Sequence, residues 1–203
     1  MSEEQTANRQ RRATSERVTK ETEIRMALDL DGSGRYEIDT GIAFFDHMLS
    51  SFARHGLFDL ELMAKGDIDV DTHHTVEDVG IVLGQTFREA LDNASGIRRY
   101  ASIVLPMAES KVEIAVDISN RPYLVYKVEF ENTRIGNFDA TLAEDFLQAF
   151  SQNAGIDLHV ELRYGRNPHH IVEAVFKGLA RALRHAVEID PRETGLPTVK
   201  GAL

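Results

Sequence analysis

A chain of 203 residues, 42% hydrophobic and 28% charged, is long enough to bury a substantial core as one domain or as two fused halves. Its formal net charge of −10 argues against general affinity for nucleic acid or anionic membrane, so any bound phosphate must be held by a local basic cluster. The absence of cysteine excludes disulfides, thiolate metal sites and a catalytic thiol.

No apolar run approaches the roughly 18 residues of a membrane span and no signal-peptide core is present, which makes a cytoplasmic location the default. Residues 1–14 are polar and almost without aliphatic side chains, and are expected to form a flexible tail. Over 17–30, Ile24, Met26, Leu28 and Leu30 alternate as in a strand with one wet face. Asp31-Gly32-Ser33-Gly34 then predicts a turn that returns 35–39 as the second strand of a hairpin. Met48, Leu49 and Phe52 have helical spacing over 46–52, and 57–64 alternates as a strand. An acidic loop, 67–72, offers Asp71 or Thr72 as a cap for a helix from His73 to about Asn93, and Gly96 closes the unit.

The second half repeats the plan, with strands predicted over 101–105, 111–118 and 124–130, a helix over 142–153, a strand over 157–164 and a helix over 169–187. Asp145-Phe-Leu-Gln-Ala-Phe150 lies in register with His47-Met-Leu-Ser-Ser-Phe52. The expected fold class is α+β, with duplicated half-domains at 15–95 and 96–190, each a mostly antiparallel sheet with helices packed on one face. Residues 191–203 form a separate C-terminal segment.

The strongest internal evidence is His73-His74-Thr75-Val76-Glu77, which returns as His169-His170-Ile171-Val172-Glu173. At the same offset Val79 and Val175, Leu83 and Leu179, Arg88 and Arg184, and Ala90 and Ala186 are identical. On a helix, residues four apart share a face while neighbours diverge by about 100°. His73 and Glu77 therefore point together while His74 points elsewhere, and likewise His169 and Glu173 against His170. Imidazole and carboxylate suit a divalent metal, whereas splayed adjacent histidines do not chelate one ion. One such motif reads as a helix start whose acid complements the macrodipole. Two copies favour two metals, one taking His73 and Glu77 with His170, the other His169 and Glu173 with His74. His55, His159 and His185 stand alone and read as structural.

Gly41 through Leu49, Gly66-Asp67 ahead of His73 through Asp78, Arg121-Pro122-Tyr123, and His169 through Arg184 resemble the imidazoleglycerol-phosphate dehydratase family, a likeness running from about Val18 to Leu203. The resemblance implies a duplicated fold, loss of water from D-erythro-imidazole glycerol phosphate to give imidazole acetol phosphate in histidine biosynthesis, and two manganese ions per subunit. It also implies a 24-subunit assembly with sites between subunits. Carried over, His47, His74, His169 and Glu173 hold one ion, and His73, Glu77 and His170 the other. Asp145 takes an eighth ligand position where members often carry histidine. Glu21 matches an acid that contacts substrate and is the candidate for proton transfer. Arg99, Arg121, Lys177, Thr198, Val199 and Lys200 match substrate- or phosphate-contacting positions, which makes 191–203 a substrate-binding segment. Val199 replaces a usual hydroxyl residue, and Asn120 replaces a common glycine.

The reaction removes a hydroxyl next to a carbon whose hydrogen is poorly acidic, so electrons must be given somewhere to go. Metals on the ring nitrogens would favour an imidazolate able to expel the hydroxyl through a diazafulvene-like intermediate, with Glu21 moving a proton. Two rival readings are a two-metal hydrolase and a metal-storage shell. Bridging carboxylates dominate the former, and the latter needs neither a positioned acid nor a phosphate anchor.

Overall fold

The computed structural model describes residues 10–201. In the first half, β1 (Arg12–Val18) and β2 (Thr22–Asp29) form an antiparallel hairpin. They are followed by β3 (Tyr36–Asp39), α1 (Ala43–Gly56), β4 (Asp59–Gly66) and α2 (His73–Leu91). The second half runs β5 (Tyr100–Met107), β6 (Ser110–Asp117), β7 (Tyr123–Lys127), the small pair β8 (Arg134–Ile135) and β9 (Phe138–Asp139), α3 (Leu142–Ala154), β10 (Asp157–Tyr164) and α4 (Pro168–Ala186). The two large sheets have the same topology, β1-β2-β4-β3 and β5-β6-β10-β7. In each, the third strand pairs in parallel with the fourth and the other pairings are antiparallel. The duplicated α+β plan is therefore present strand for strand, with β8–β9 added to the second half.

Alternation in β2 and β6 buries one face of each sheet and leaves the other toward solvent. The helices cover the buried faces, α2 lying on β1 and β2, and α4 on β5 and β6. Across the halves, α2 packs on α3 and α1 on α4, so four helices lie between two outer sheets. Phe45, Phe52, Phe58, Phe87, Phe146, Phe150 and Phe176 are fully buried in this layer, many of them in ring contact. Gly84 lets α2 approach α3 closely, since a Cβ there would stand 2.7 Å from the Phe150 carbonyl oxygen.

Three expectations are corrected. Residues 35–39 do not return beside the preceding strand; β3 pairs in parallel with β4 at the sheet edge. The Asp31–Gly34 turn is fastened to β4 instead, because the Asp59 carboxylate accepts hydrogen bonds from the amides of Ser33 and Arg35 at 2.7 and 2.9 Å. The hairpin is β1–β2, so β1 takes in residues 12–14 that were expected in the tail; residues 1–9 lie outside the described residues. The strand expected over 124–130 ends at Lys127, and Val128 and Phe130 pack on the core as irregular chain.

Candidate metal centre and active site

Both repeated motifs open their helices. The Asp71 carboxylate accepts from the His73 amide at 2.8 Å, and Asn167 accepts from the His169 amide at 3.0 Å with Pro168 in the first turn. Thr72 makes no capping side-chain bond. Adjacent rings then diverge as helical geometry requires, with planes 78° apart for His73 and His74 and 74° apart for His169 and His170.

One cluster forms where α1 meets α4. Glu173 Oε2 lies 3.2 Å from His169 Nε2 and Oε1 lies 3.8 Å from His47 Nε2, and one donor atom of each residue falls within 4.8 Å of the others. Lys177 Nζ, one turn on, sits 2.5 Å from Glu173 Oε1. Burial pushes the Glu173 carboxyl up, but Lys177, His47 and His169 outweigh it and hold the group below its ordinary value. A buried carboxylate facing two imidazoles fits a divalent cation. A second cluster forms where α2 meets α3. His73 Nε2 is 3.7 Å from Glu77, and His73 Nδ1 is 3.6 Å from Asp145. Because His73 spans two carboxylates with opposite nitrogens, closure around one ion requires a side-chain rotation.

His74 and His170 join neither cluster. His74 Nδ1 lies 3.1 Å from Asp67, which raises the imidazole pKa, and His74 Nε2 is 3.9 Å from Glu21. His170 Nδ1 lies 2.6 Å from Glu109. The sets expected from helical spacing, His170 with His73 and Glu77, and His74 with His169 and Glu173, are therefore not assembled within one chain among the described residues. Each chain instead brings together three residues of either carried-over set and turns the fourth outward.

Glu21 sits in the β1–β2 turn. Its amide donates to Thr19 Oγ1 at 3.1 Å, its carbonyl accepts from the Asp67 amide at 3.0 Å, and its side chain is 54% exposed. The turn is tied to α2 by buried Asp78, which bonds Thr22 Oγ1 and accepts from Arg17 Nε at 3.2 Å.

Arg99, Arg121, Thr198, Val199 and Lys200 line one cavity of about 670 Å³. Lys177 lies apart from it, on α4 beside Glu173. Arg99 is buried and turned inward: Nε is 2.7 Å from Asp117, a terminal nitrogen donates to the Pro197 carbonyl at 2.8 Å, and the guanidinium lies over the Tyr100 ring. In this arrangement Arg99 holds the C-terminal segment in place. Val199 is fully exposed, and Thr198 Oγ1 accepts from the Lys200 amide. Asn120, in place of a common glycine, has φ 55°, a left-handed conformation that asparagine tolerates better than most residues.

Sequence reasoning missed Glu109, Asp67 and Asp117 as partners of site residues, and Asp78 as the anchor of the turn that carries Glu21. Asp78 stands beside the repeated motif and offered a weak signal. Glu109, in the β5–β6 turn, and Asp117, at the end of β6, are separated in sequence from His170 and Arg99 and offered none.

Fold and site together define a duplicated α+β protein carrying paired histidine–carboxylate clusters and a basic cavity. A family model described as imidazoleglycerol-phosphate dehydratase matches residues 40–183. The imidazoleglycerol-phosphate dehydratase of Azorhizobium caulinodans is 59% identical over 95% of this chain and 98% of its own length, and that of Methylorubrum extorquens 56% over 95% and 100%. The crystal structure of the Staphylococcus aureus enzyme superposes with TM-score 0.81 at 34% identity, covering 88% of this chain and 99% of that one. IGPD from Pyrococcus furiosus, in complex with (S)-C348, gives TM-score 0.81 at 34% identity over 93% and 100%. The chain belongs to the imidazoleglycerol-phosphate dehydratase family, and it is an enzyme, a dehydratase of histidine biosynthesis. No helix among the described residues is long and apolar enough to cross a membrane.

Proposed function

We propose that this chain dehydrates D-erythro-imidazole glycerol phosphate to imidazole acetol phosphate in the cytoplasm, with two manganese ions per subunit in an assembly of 24. The observation that carries this reading is the pair of incomplete clusters. Within one chain His47, His169 and Glu173 stand together apart from His74, and His73 lies beside Glu77 and Asp145 apart from His170; we take the two missing ligands to come from other copies.

When bound, the ions supply Lewis acidity that draws electron density from the substrate's imidazole nitrogens. The chain's own residues do the rest. Arg121, Lys200 and the Thr198 hydroxyl, grouped in the cavity, bind the phosphate, the arginine through its planar fork. Val199 offers its backbone there, and Arg99 donates to the Pro197 carbonyl just ahead of it. Lys177 reaches substrate from the cluster side, beside Glu173. Glu21, exposed next to His74, would take the proton that the carbon skeleton gives up and return it to the departing hydroxyl, which leaves as water.

Glu21→Gln tests the assignment, because it keeps the shape while removing the titratable group. Turnover of the manganese-loaded protein should fall at least about 100-fold with metal content and native mass unchanged. A change confined to KM would reduce Glu21 to a binding role, and full activity would remove it from the mechanism.

A further inference from the structure

We propose that Glu109 and Asp67 are positioning residues that fix the tautomer and direction of His170 and His74. This inference rests on the metal reading above. Glu109 occupies the two-residue turn between β5 and β6, where Met107 pairs with Ser110. Its Oε1 accepts from the Asn167 amide at 2.8 Å, the Arg166 amide at 3.3 Å and Ser110 Oγ at 3.1 Å. Oε2 is thereby left for His170 Nδ1 at 2.6 Å. A carboxylate held this way can only accept, so His170 carries its proton on Nδ1 and leaves Nε2 bare for an ion. Asp67 serves His74 in the same way, with both carboxylate oxygens 3.1 and 3.2 Å from Nδ1.

The two acids are not repeat equivalents. His74 and His170 correspond in the duplication, but Asp67 follows β4 where Gly165 follows β10, and Glu109 sits in the β5–β6 turn, the counterpart of the β1–β2 turn that holds Glu21. The two halves reach one arrangement by unrelated residues, which inheritance from a common half does not explain. A shared requirement on the two outward-facing imidazoles does.

Glu109→Gln is the informative variant. Three donors already fix Oε1, so the amide oxygen takes that place and the amide NH₂ faces His170 Nδ1. The ring is then forced to accept at Nδ1 and to carry its proton on Nε2, the wrong tautomer for a ligand. The full-length protein, stripped with chelator, is titrated with Mn²⁺, and free ion is counted by its electron paramagnetic resonance signal. One of the two ions should bind about 10- to 100-fold more weakly in Glu109→Gln, and the other in Asp67→Ala. In the metal-free protein, nitrogen-15 spectra should show His170 changing from the Nδ1–H to the Nε2–H form in Glu109→Gln, a shift that a merely structural role would not produce.

Wild-type binding of both ions by the variants, with unchanged tautomers, overturns the inference. Should Glu109→Gln fail to fold, Asp67→Ala, which keeps the backbone bonds of residue 67, decides it. Should the wild type itself not take two ions, the metal reading falls separately, and the tautomer measurement still decides this one.

Discussion

His73 reaches Glu77 with one ring nitrogen and Asp145 with the other, at 3.7 and 3.6 Å, and a single imidazole cannot give both to one ion. Asp145 is therefore the candidate residue on which the second cluster turns. In the duplication it matches His47, a neutral donor, so its carboxylate makes the α2–α3 cluster the more acidic of the two. Asp145→Asn should weaken one Mn²⁺ by at least about tenfold, while Asp145→His should hold both ions, since imidazole is an equally suitable donor. Isothermal titration with Mn²⁺ measures this; an unaltered isotherm for Asp145→Asn would place a water between the residue and the ion. The divergence of neighbouring histidines was legible in the sequence because it follows from 3.6 residues per turn alone. Their carboxylate partners were less so: Asp67 lay within the quoted motif without an evident role, and Glu109 meets His170 through tertiary packing across 61 residues.

At the scale of elements, sequence pattern located both halves because period-2 and period-3.6 hydrophobicity are properties of single segments. Pairing depends on what the loops are fastened to, and there the reading failed at β3. Asp-Gly-Ser-Gly resembles a hairpin turn, but Asp59, in another strand, accepts from the amides of Ser33 and Arg35 and also pairs with the Arg35 side chain. The Arg35 guanidinium outweighs burial and, with these amides, holds the Asp59 carboxyl well below its ordinary value of 3.8. A folded-state pKa below the unfolded one means that ionised Asp59 stabilises the fold above pH 3.8, a contribution lost as pH falls from there. Asp59→Asn should therefore lower stability by about 1 kcal/mol near neutrality, a modest figure because Arg35 is largely in solvent. Denaturant midpoints taken across pH should draw together for variant and wild type as pH falls below 3.8, merging only where the folded carboxyl itself takes up its proton. A gap that stayed constant into acid would assign the effect to shape and not to charge.

For the whole molecule, the decisive property is that each candidate ion site gathers three residues of one chain, while among the described residues His74 and His170 stand apart from both. If the fourth comes from a neighbouring copy, metal binds only the assembled state and favours it by mass action, so complete chelation should lower the native mass and Mn²⁺ should restore it. The sharper consequence is complementation between two inactive variants. His169→Ala removes a residue from the α1–α4 cluster but still offers an intact His74 to its neighbours. His74→Ala keeps His47, His169 and Glu173 together but has nothing to donate. Each variant alone should be unable to complete this ion site anywhere. When the two are dissociated with chelator, mixed and reassembled with Mn²⁺, every junction joining the intact cluster of one variant to the intact His74 of the other becomes complete. Manganese content and dehydratase activity should then exceed those of either parent, while native mass and isotopic labelling of one variant report subunit exchange. Mixed shells that exchange subunits yet stay as empty and inactive as their parents would show that the site is completed within a single chain, by a movement of His74 toward its own α1–α4 cluster.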